Sequence, residues 1–337
     1  MRSAAGTATR GSHRTLAQSA SVTDDPQPAA DAAGTRLSDD AVARFAAELG
    51  LPGLVDIHVH FMPDNVLRKV WAYFDRVGVP SSDGGPAHPG ADLPPWPITY
   101  RTDQDGRLSS LRELGVIGHS ALVYPHRPGM AAWLTDWAMD FGERTPGCVP
   151  SATFYPEPTA LASVTDALHR GARVFKSHLQ VGAYDPRDPL LDGVWGVLAE
   201  AGVPVVCHCG SGPFPGPFTG PGPMSEVLRR HRKLTLVVAH AGAPEYAAFL
   251  ELVERYPRVH LDTTMVFTDY LERLAPFPRD LLPRLAAAGD RVVLGSDFPN
   301  IPHPYASQIQ ALIELDLGPE WLRQVLYANG ARLLRLD

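Results

Sequence analysis

The sequence predicts a (β/α)8 barrel, the TIM-barrel class of α/β fold, on three observations. Eight short apolar runs recur along the chain, each followed by a segment with helical periodicity. The runs are almost continuously apolar, as strands buried on both faces of a parallel sheet must be. Finally, the side chains best suited to hold a metal ion stand at the carboxyl ends of these runs: His58 and His60, Lys176, His208, His240 and Asp297. An open doubly wound sheet also gives the alternation, but it binds ligands at one crevice. Groups spread over the first, fourth, fifth, sixth and eighth runs meet only if the sheet closes. Closed barrels keep their chemistry at the carboxyl ends of the strands.

Residues 1–37 are rich in Ala, Ser, Thr, Asp and Pro and lack apolar periodicity, so they are expected to form a disordered tail before a single domain at 38–337. Ser38, Asp39 and Asp40 favour the start of a short helix through Glu48. The first strand is GLVDIHVH, followed by the helix NVLRKVWAYFDRVGV. A Gly- and Pro-rich insertion at about 79–105 is too long for an ordinary connection and reads as a lid. The strands VIGHSALVYP, CVPSATFYP, ARVFKSHLQ, VPVVCHCG, LTLVVAHAG, RVHLDTTM and RVVLGSD then alternate with helices, the last of them running from Pro319 to Leu334.

Composition excludes several classes of function. A formal net charge of −7 over 337 residues argues against non-specific nucleic-acid binding, which needs basic stripes to replace counterions. No apolar run approaches the length of a bilayer span, and the tail lacks the apolar core of a secretory signal. Cys148, Cys207 and Cys209 have no framework spacing, so a reducing, cytoplasmic setting is expected. The first strand-to-helix turn reads FMPDN and not a Gly-rich phosphate loop, so no dinucleotide fingerprint is present.

His58 and His60, two apart on a strand, point to the same face and can share one ion. Neutral imidazole and carboxylate suit zinc or a similar ion, and a catalytic site keeps one position open for water. Water held there loses a proton near neutral pH and becomes a nucleophile. Asp297 can take that proton, and His240 can polarise a carbonyl or shuttle a proton.

The motifs DIHVHFMP, KSH, VVCHCG, VVAHAG and LGSDFP resemble those of the amidohydrolase superfamily, within it the amidohydrolase-related group that includes aminocarboxymuconate-semialdehyde decarboxylase. The resemblance extends over nearly the whole chain after the tail. It implies that His58, His60, His208 and Asp297 bind a divalent metal, usually zinc, and that His240 helps to activate water or substrate. In some branches a lysine at the position of Lys176 is carboxylated and bridges two ions, with the counterpart of His240 then a ligand of the second. One ion is the expected state here, with Lys176 and His178 close to it or to the substrate.

Outside this set, Arg101 in the insertion is a candidate carboxylate clamp, because a guanidinium pairs bidentately with a carboxylate. Arg127 lies in a loop where barrels meet substrate, and Phe214 and Phe218 offer apolar walls in SGPFPGPFTGPGP. His119, early in its strand, reads as structural. The expected function is a metal-dependent hydrolase in which activated water attacks an amide, lactone or ester carbonyl of a small anionic or aromatic substrate. The alternative is a non-oxidative decarboxylase of an unsaturated or aromatic carboxylic acid; a third reading is an inactive barrel scaffold. A small molecule is the expected partner, and homo-oligomerisation is left open.

Overall fold

The computed structural model describes residues 36–79 and 90–336. Its strands are β1 (Leu54–Asp56), β2 (Val116–His119), β3 (Ser151–Thr153), β4 (Val174–His178), β5 (Val205–His208), β6 (Leu236–Val238), β7 (Val259–Asp262) and β8 (Val292–Val293), each inside one of the eight expected runs. Parallel ladders join β1 to β2, with a register shift between Leu54 and Val55, and run in order from β3 to β8. Two seams close the barrel. At β2–β3 the His119 N–H donates to Gly147 O at 2.8 Å and the Val149 N–H to His119 O at 2.9 Å. At β8–β1 the Ile57 N–H donates to Leu294 O at 3.0 Å. This second seam continues past the strand ends, with Asp297 N–H donating to His58 O at 2.9 Å and His60 N–H to Phe298 O at 2.7 Å. Those bonds bring the ends of β1 and β8 together at the barrel mouth.

Alternation along each strand divides the core. Val55, Ile57, Val174, Val206, Val237 and Val293 pack with one another, while Leu54, Phe175, Val205, Leu236 and Val238 belong to the larger cluster shared with the helices. Cys207 and Cys209 fall in that larger cluster as fully buried small apolar residues, on the opposite side of β5 from His208. Burying a Val or Leu completely stabilises the fold by roughly 1.5–3 kcal/mol, so such a core holds the strand ends in fixed register.

Local structure departs from the expectation in two places. Asp39 begins the helix Asp39–Glu48, but its carboxylate accepts the Ala306 N–H at 2.8 Å and the Tyr100 hydroxyl. A helix at Gln104–Glu113 occupies the end of the expected insertion, with Asp103 capping it through the Gly106 N–H at 2.8 Å. Its sequence, QDGRLSSLRE, buries only Arg107 and Leu111, so it lacks the apolar stripe by which helices are recognised.

The described part of the insertion lies against the barrel mouth. Trp96 Nε1–H donates to Asn300 O at 2.7 Å, Thr99 N–H to Ile301 O at 3.0 Å, and the Trp96 ring stacks on Phe74 at 4.9 Å. Arg36 and Leu37, assigned to the tail, are attached to the barrel through Asp269 and Gln310. Residues 1–35 of the expected tail and 80–89 of the expected lid lie outside the described residues.

His119 gives a test of the buried frame. It is buried beside the ring of Phe61, its Nδ1–H donates to Ser120 O at 3.0 Å, and burial pushes its pKa down to about 4. An unfolded chain takes up a proton on this ring near pH 6.5, whereas the folded chain does so only near 4. Its contribution is therefore present above pH 6.5 and is lost as pH falls to about 4. Urea titrations at pH 7 and pH 4 should show His119→Gln losing about 3 kcal/mol less stability over that interval than the wild type. Equal losses would mean that this ring is not buried in its neutral form.

Candidate active site

The site begins just past the end of β1, where Ile57 packs into the inner cluster, Val59 into the larger one, and His58 and His60 line the cavity at the mouth. Each ring is fixed through Nδ1. His58 Nδ1–H donates to Asp262 Oδ2 at 2.8 Å, and His60 Nδ1–H donates to Leu122 O at 2.8 Å. Both Nε2 atoms are then left with a lone pair, and they converge on Asp297 Oδ1 at 3.0 and 3.1 Å. His58, His60 and Asp297 form a group whose ligand atoms all lie within 4.8 Å of one another.

This donor set fits a divalent cation. Two imidazole lone pairs and a carboxylate oxygen repel one another unless positive charge lies among them. Burial lowers the pKa of His60 to about 4, so that ring does not supply the charge. On His58, burial and Lys176 oppose protonation, yet Asp297 and Asp262 outweigh them and raise its pKa. Burial would raise the pKa of Asp297, but His58 and His240 hold its carboxyl well below the usual range. The carboxylates thus demand a positive charge, and a hard or borderline metal ion meets that demand with the ligands such ions prefer.

Six rings form a closed circle around the mouth. Successive centroid distances are 5.1 Å for His58–His60, 5.5 Å for His60–Tyr124, 4.9 Å for Tyr124–His178, 4.2 Å for His178–His208, 4.8 Å for His208–His240 and 5.5 Å for His240–His58. Asp297 touches the arc made by His58 and His60 and lies 3.6 Å from His240 Nε2 through Oδ2. His240 Nδ1–H donates to Thr264 O at 3.1 Å, so its Nε2 is also bare. His208 lies outside the tight group: its Nε2–H donates to Gly212 O at 2.8 Å, which leaves Nδ1 with the free lone pair. The buried Lys176 amine donates to His58 Nε2 at 2.7 Å, and burial lowers its pKa.

The backbone is held in place for this arrangement. His240 and Asp297 adopt left-handed φ values of 55° and 64°, which cost of order 1–3 kcal/mol each and persist only where the surroundings enforce them. Asp262 supplies part of that enforcement: its Oδ1 accepts the His240 N–H at 2.7 Å and the Thr264 N–H at 3.1 Å. Gly295, two residues before Asp297, allows close packing; a Cβ there would lie 2.9 Å from His58 Cβ and 3.1 Å from Asp262 Cγ.

Above the circle is a cavity of about 740 Å³, mostly apolar, walled by Phe74, Trp96, Trp133 and Phe214 with Lys69 and Arg127 among its lining residues. Lys176, His178, His208 and His240 also line it. Two sequence expectations are corrected here. Arg101 does not reach the cavity: its guanidinium makes bonds of 2.6 and 2.7 Å to Asp75 and lies 5.3 Å from the Trp71 ring centroid. The carboxylate just past the helix Asp64–Phe74 satisfies the fork that was expected to hold substrate. Phe218, in the same loop as Phe214, is not part of the wall.

Sequence reasoning passed over Asp262 and Tyr124. The signal for Asp262 was present, since RVHLD ends an apolar run in an acid much as RVVLGSD does. Tyr124 was hidden inside a run read only as strand.

A family model described as amidohydrolase matches residues 55–336. Among solved structures, the chain is similar to an uncharacterized TIM-barrel protein from Bordetella bronchiseptica, at 18% identity and a TM-score of 0.63, covering 84% of this chain and 98% of that one. It is also similar to 5-carboxyvanillate decarboxylase from Sphingomonas paucimobilis, at 15% identity and a TM-score of 0.57, covering 85% and 100%. A 2,6-dihydroxybenzoate decarboxylase from Rhizobium matches at 15% identity and a TM-score of 0.55, again covering 85% and 100%. At such identities the likeness is one of fold. No curated protein matches the chain significantly. Among the described residues, no helix is long and apolar enough to cross a membrane.

Proposed function

This chain belongs to the amidohydrolase family, and we propose that it is a metal-dependent hydrolase that opens an amide, lactone or ester bond in a small aromatic or anionic substrate. The observation that carries this reading is the division of labour in Asp297. Its Oδ1 faces His58 and His60, while Oδ2 faces the bare Nε2 of His240 at 3.6 Å. One oxygen serves as a ligand and the other is free to take a proton from water and pass it to His240. Hydrolysis needs that proton acceptor.

His58, His60 and Asp297 would hold one ion, zinc being the expected one, with His208, the further expected ligand, next to His240 in the ring circle. When bound, the ion supplies Lewis acidity and lowers the pKa of water at its open position. The chain's own residues do the rest. Asp262 and Leu122 O fix the two imidazole tautomers so that both lone pairs face inward. Lys176 gives up its bond to His58 Nε2 when that nitrogen is needed, and its lowered pKa favours the neutral amine that can stand beside a cation, or that can be carboxylated to carry a second ion. The aromatic walls exclude water and grip a flat substrate, and Lys69 and Arg127 draw an acidic group to the cavity.

A second reading, decarboxylation of an aromatic acid, is favoured by those two cations and by the fold shared with two decarboxylases. No comparable observation stands behind an inactive scaffold. Incubating the loaded enzyme in H₂¹⁸O with a panel of aryl esters, lactones, amides and hydroxylated benzoates separates the two. The hydrolase gives a product carboxylate enriched in ¹⁸O and no CO₂. Release of CO₂ without label in the organic product would overturn the proposal in favour of the second reading.

A further inference from the structure

Two hydrogen-bond donors lining the cavity have no acceptor among the described residues, and both lie on the arc of the ring circle away from Asp297. The first is on His178. This residue caps the short helix Leu179–Gly182, and its Nδ1 accepts the Val181 N–H at 3.3 Å. A nitrogen that accepts carries no proton, so the ring's proton is on Nε2, and the ring itself lines the cavity. The second donor is the Tyr124 hydroxyl. Its ring is wedged between His60 at 5.5 Å and His178 at 4.9 Å, it too lines the cavity, and the hydroxyl makes no bond to a described residue. Neither atom is sealed in the core; both are open to the cavity, where an acceptor that the fold itself does not provide can reach them.

Resting on the hydrolase reading above, we propose that Tyr124 O–H and His178 Nε2–H together form the oxyanion hole, holding the substrate oxygen that gains negative charge. Water oxygen bonds to the carbonyl carbon, the C=O π pair moves onto the carbonyl oxygen, and the water proton goes to Asp297. When the tetrahedral species collapses, the π bond re-forms, the bond to the leaving group breaks, and the proton passes through His240 to the departing atom. Tyr124 and His178 donate to the oxygen throughout, opposite the residues that manage the proton. Both donors are neutral and pre-placed, so they respond to charge that develops in the transition state without reorganising.

Phenylphosphonate presents the anionic oxygens of that species on an aromatic body, and its binding can be read from quenching of Trp96 and Trp133 in the metal-loaded enzyme. Tyr124→Phe keeps the ring contacts and removes only the hydroxyl. His178→Asn keeps an oxygen able to cap Val181 but presents no donor at the place of Nε2. Each change should weaken phenylphosphonate by about 10- to 100-fold, the size of a lost hydrogen bond to a charged group, and leave binding of neutral benzyl alcohol unchanged. With any hydrolysed substrate the loss should fall on kcat and not on KM. The proposal is overturned if the wild type does not bind phenylphosphonate, or if both variants bind it as the wild type does. The ¹⁸O experiment bears on the hydrolase reading alone, so failure of that reading and failure of the donor pair give different results.

Discussion

Replacing Asp297 with Asn is expected to lower turnover, assayed with saturating divalent metal to offset the weakened site, by roughly 10²- to 10⁴-fold, the scale of a lost general base, while the protein stays folded. The amide is the same size as the carboxylate and can still meet His58 and His60 through its polar atoms. Two properties vanish. The negative charge that His58 and His240 stabilise is gone, and with it the group's ability to take a proton from water. The left-handed backbone at this position is compatible with Asn, which tolerates that region about as well as Asp, so folding is spared. Steady-state assays paired with a thermal melt check the result. A loss below tenfold at an unchanged melting temperature would mean that proton transfer in this enzyme does not run through Asp297.

Asp262→Ala should produce the other large effect, and of a different kind. This side chain never faces the cavity, yet one carboxylate oxygen receives the His58 Nδ1–H and the other receives the backbone of His240 and Thr264. Burial raises its pKa on its own, but His58 and its neighbours lower it below the usual carboxylate value, so it is charged in the folded protein. Removing one partner of such a buried pair typically costs about 3–5 kcal/mol. The freed His58 ring can also turn or change tautomer, so metal affinity should fall by about 10- to 100-fold, as it does when such supporting partners are lost. Urea titration and competition with a chromophoric chelator measure the two effects. If stability fell while metal affinity held, Asp262 would be a structural residue that happens to touch the site.

The sequence made the barrel legible because strand character and functional position coincided. GLVDIHVH shows an apolar strand and, at its end, two histidines whose spacing leaves only one shared face. The requirement that His208, His240 and Asp297 meet them then forces closure, and the seam between His58, His60 and the residues after β8 is that closure in atomic detail. What stayed hidden depends on proximity in space. Asp262 and His58 are 204 residues apart, and nothing local in RVHLD says that its acid rather than its histidine turns toward β1. Arg101 carries a fork that seeks a carboxylate, but the sequence does not say that Asp75 is closer than any substrate. The helix Gln104–Glu113 escaped because its stability rests on a capping aspartate and two buried side chains, not on an apolar stripe.

Buried His58 and His60 and part-buried Asp297, with lone pairs turned inward, are proposed to hold a catalytic metal ion. Elemental analysis of gently purified wild type and of Asp297→Asn, both dialysed against metal-free buffer, tests this most directly. About one divalent ion per chain in the wild type, and well below that in the variant, is the outcome expected from a His58–His60–Asp297 centre. Wild-type protein that turns over substrate at full rate with no divalent ion bound would contradict it.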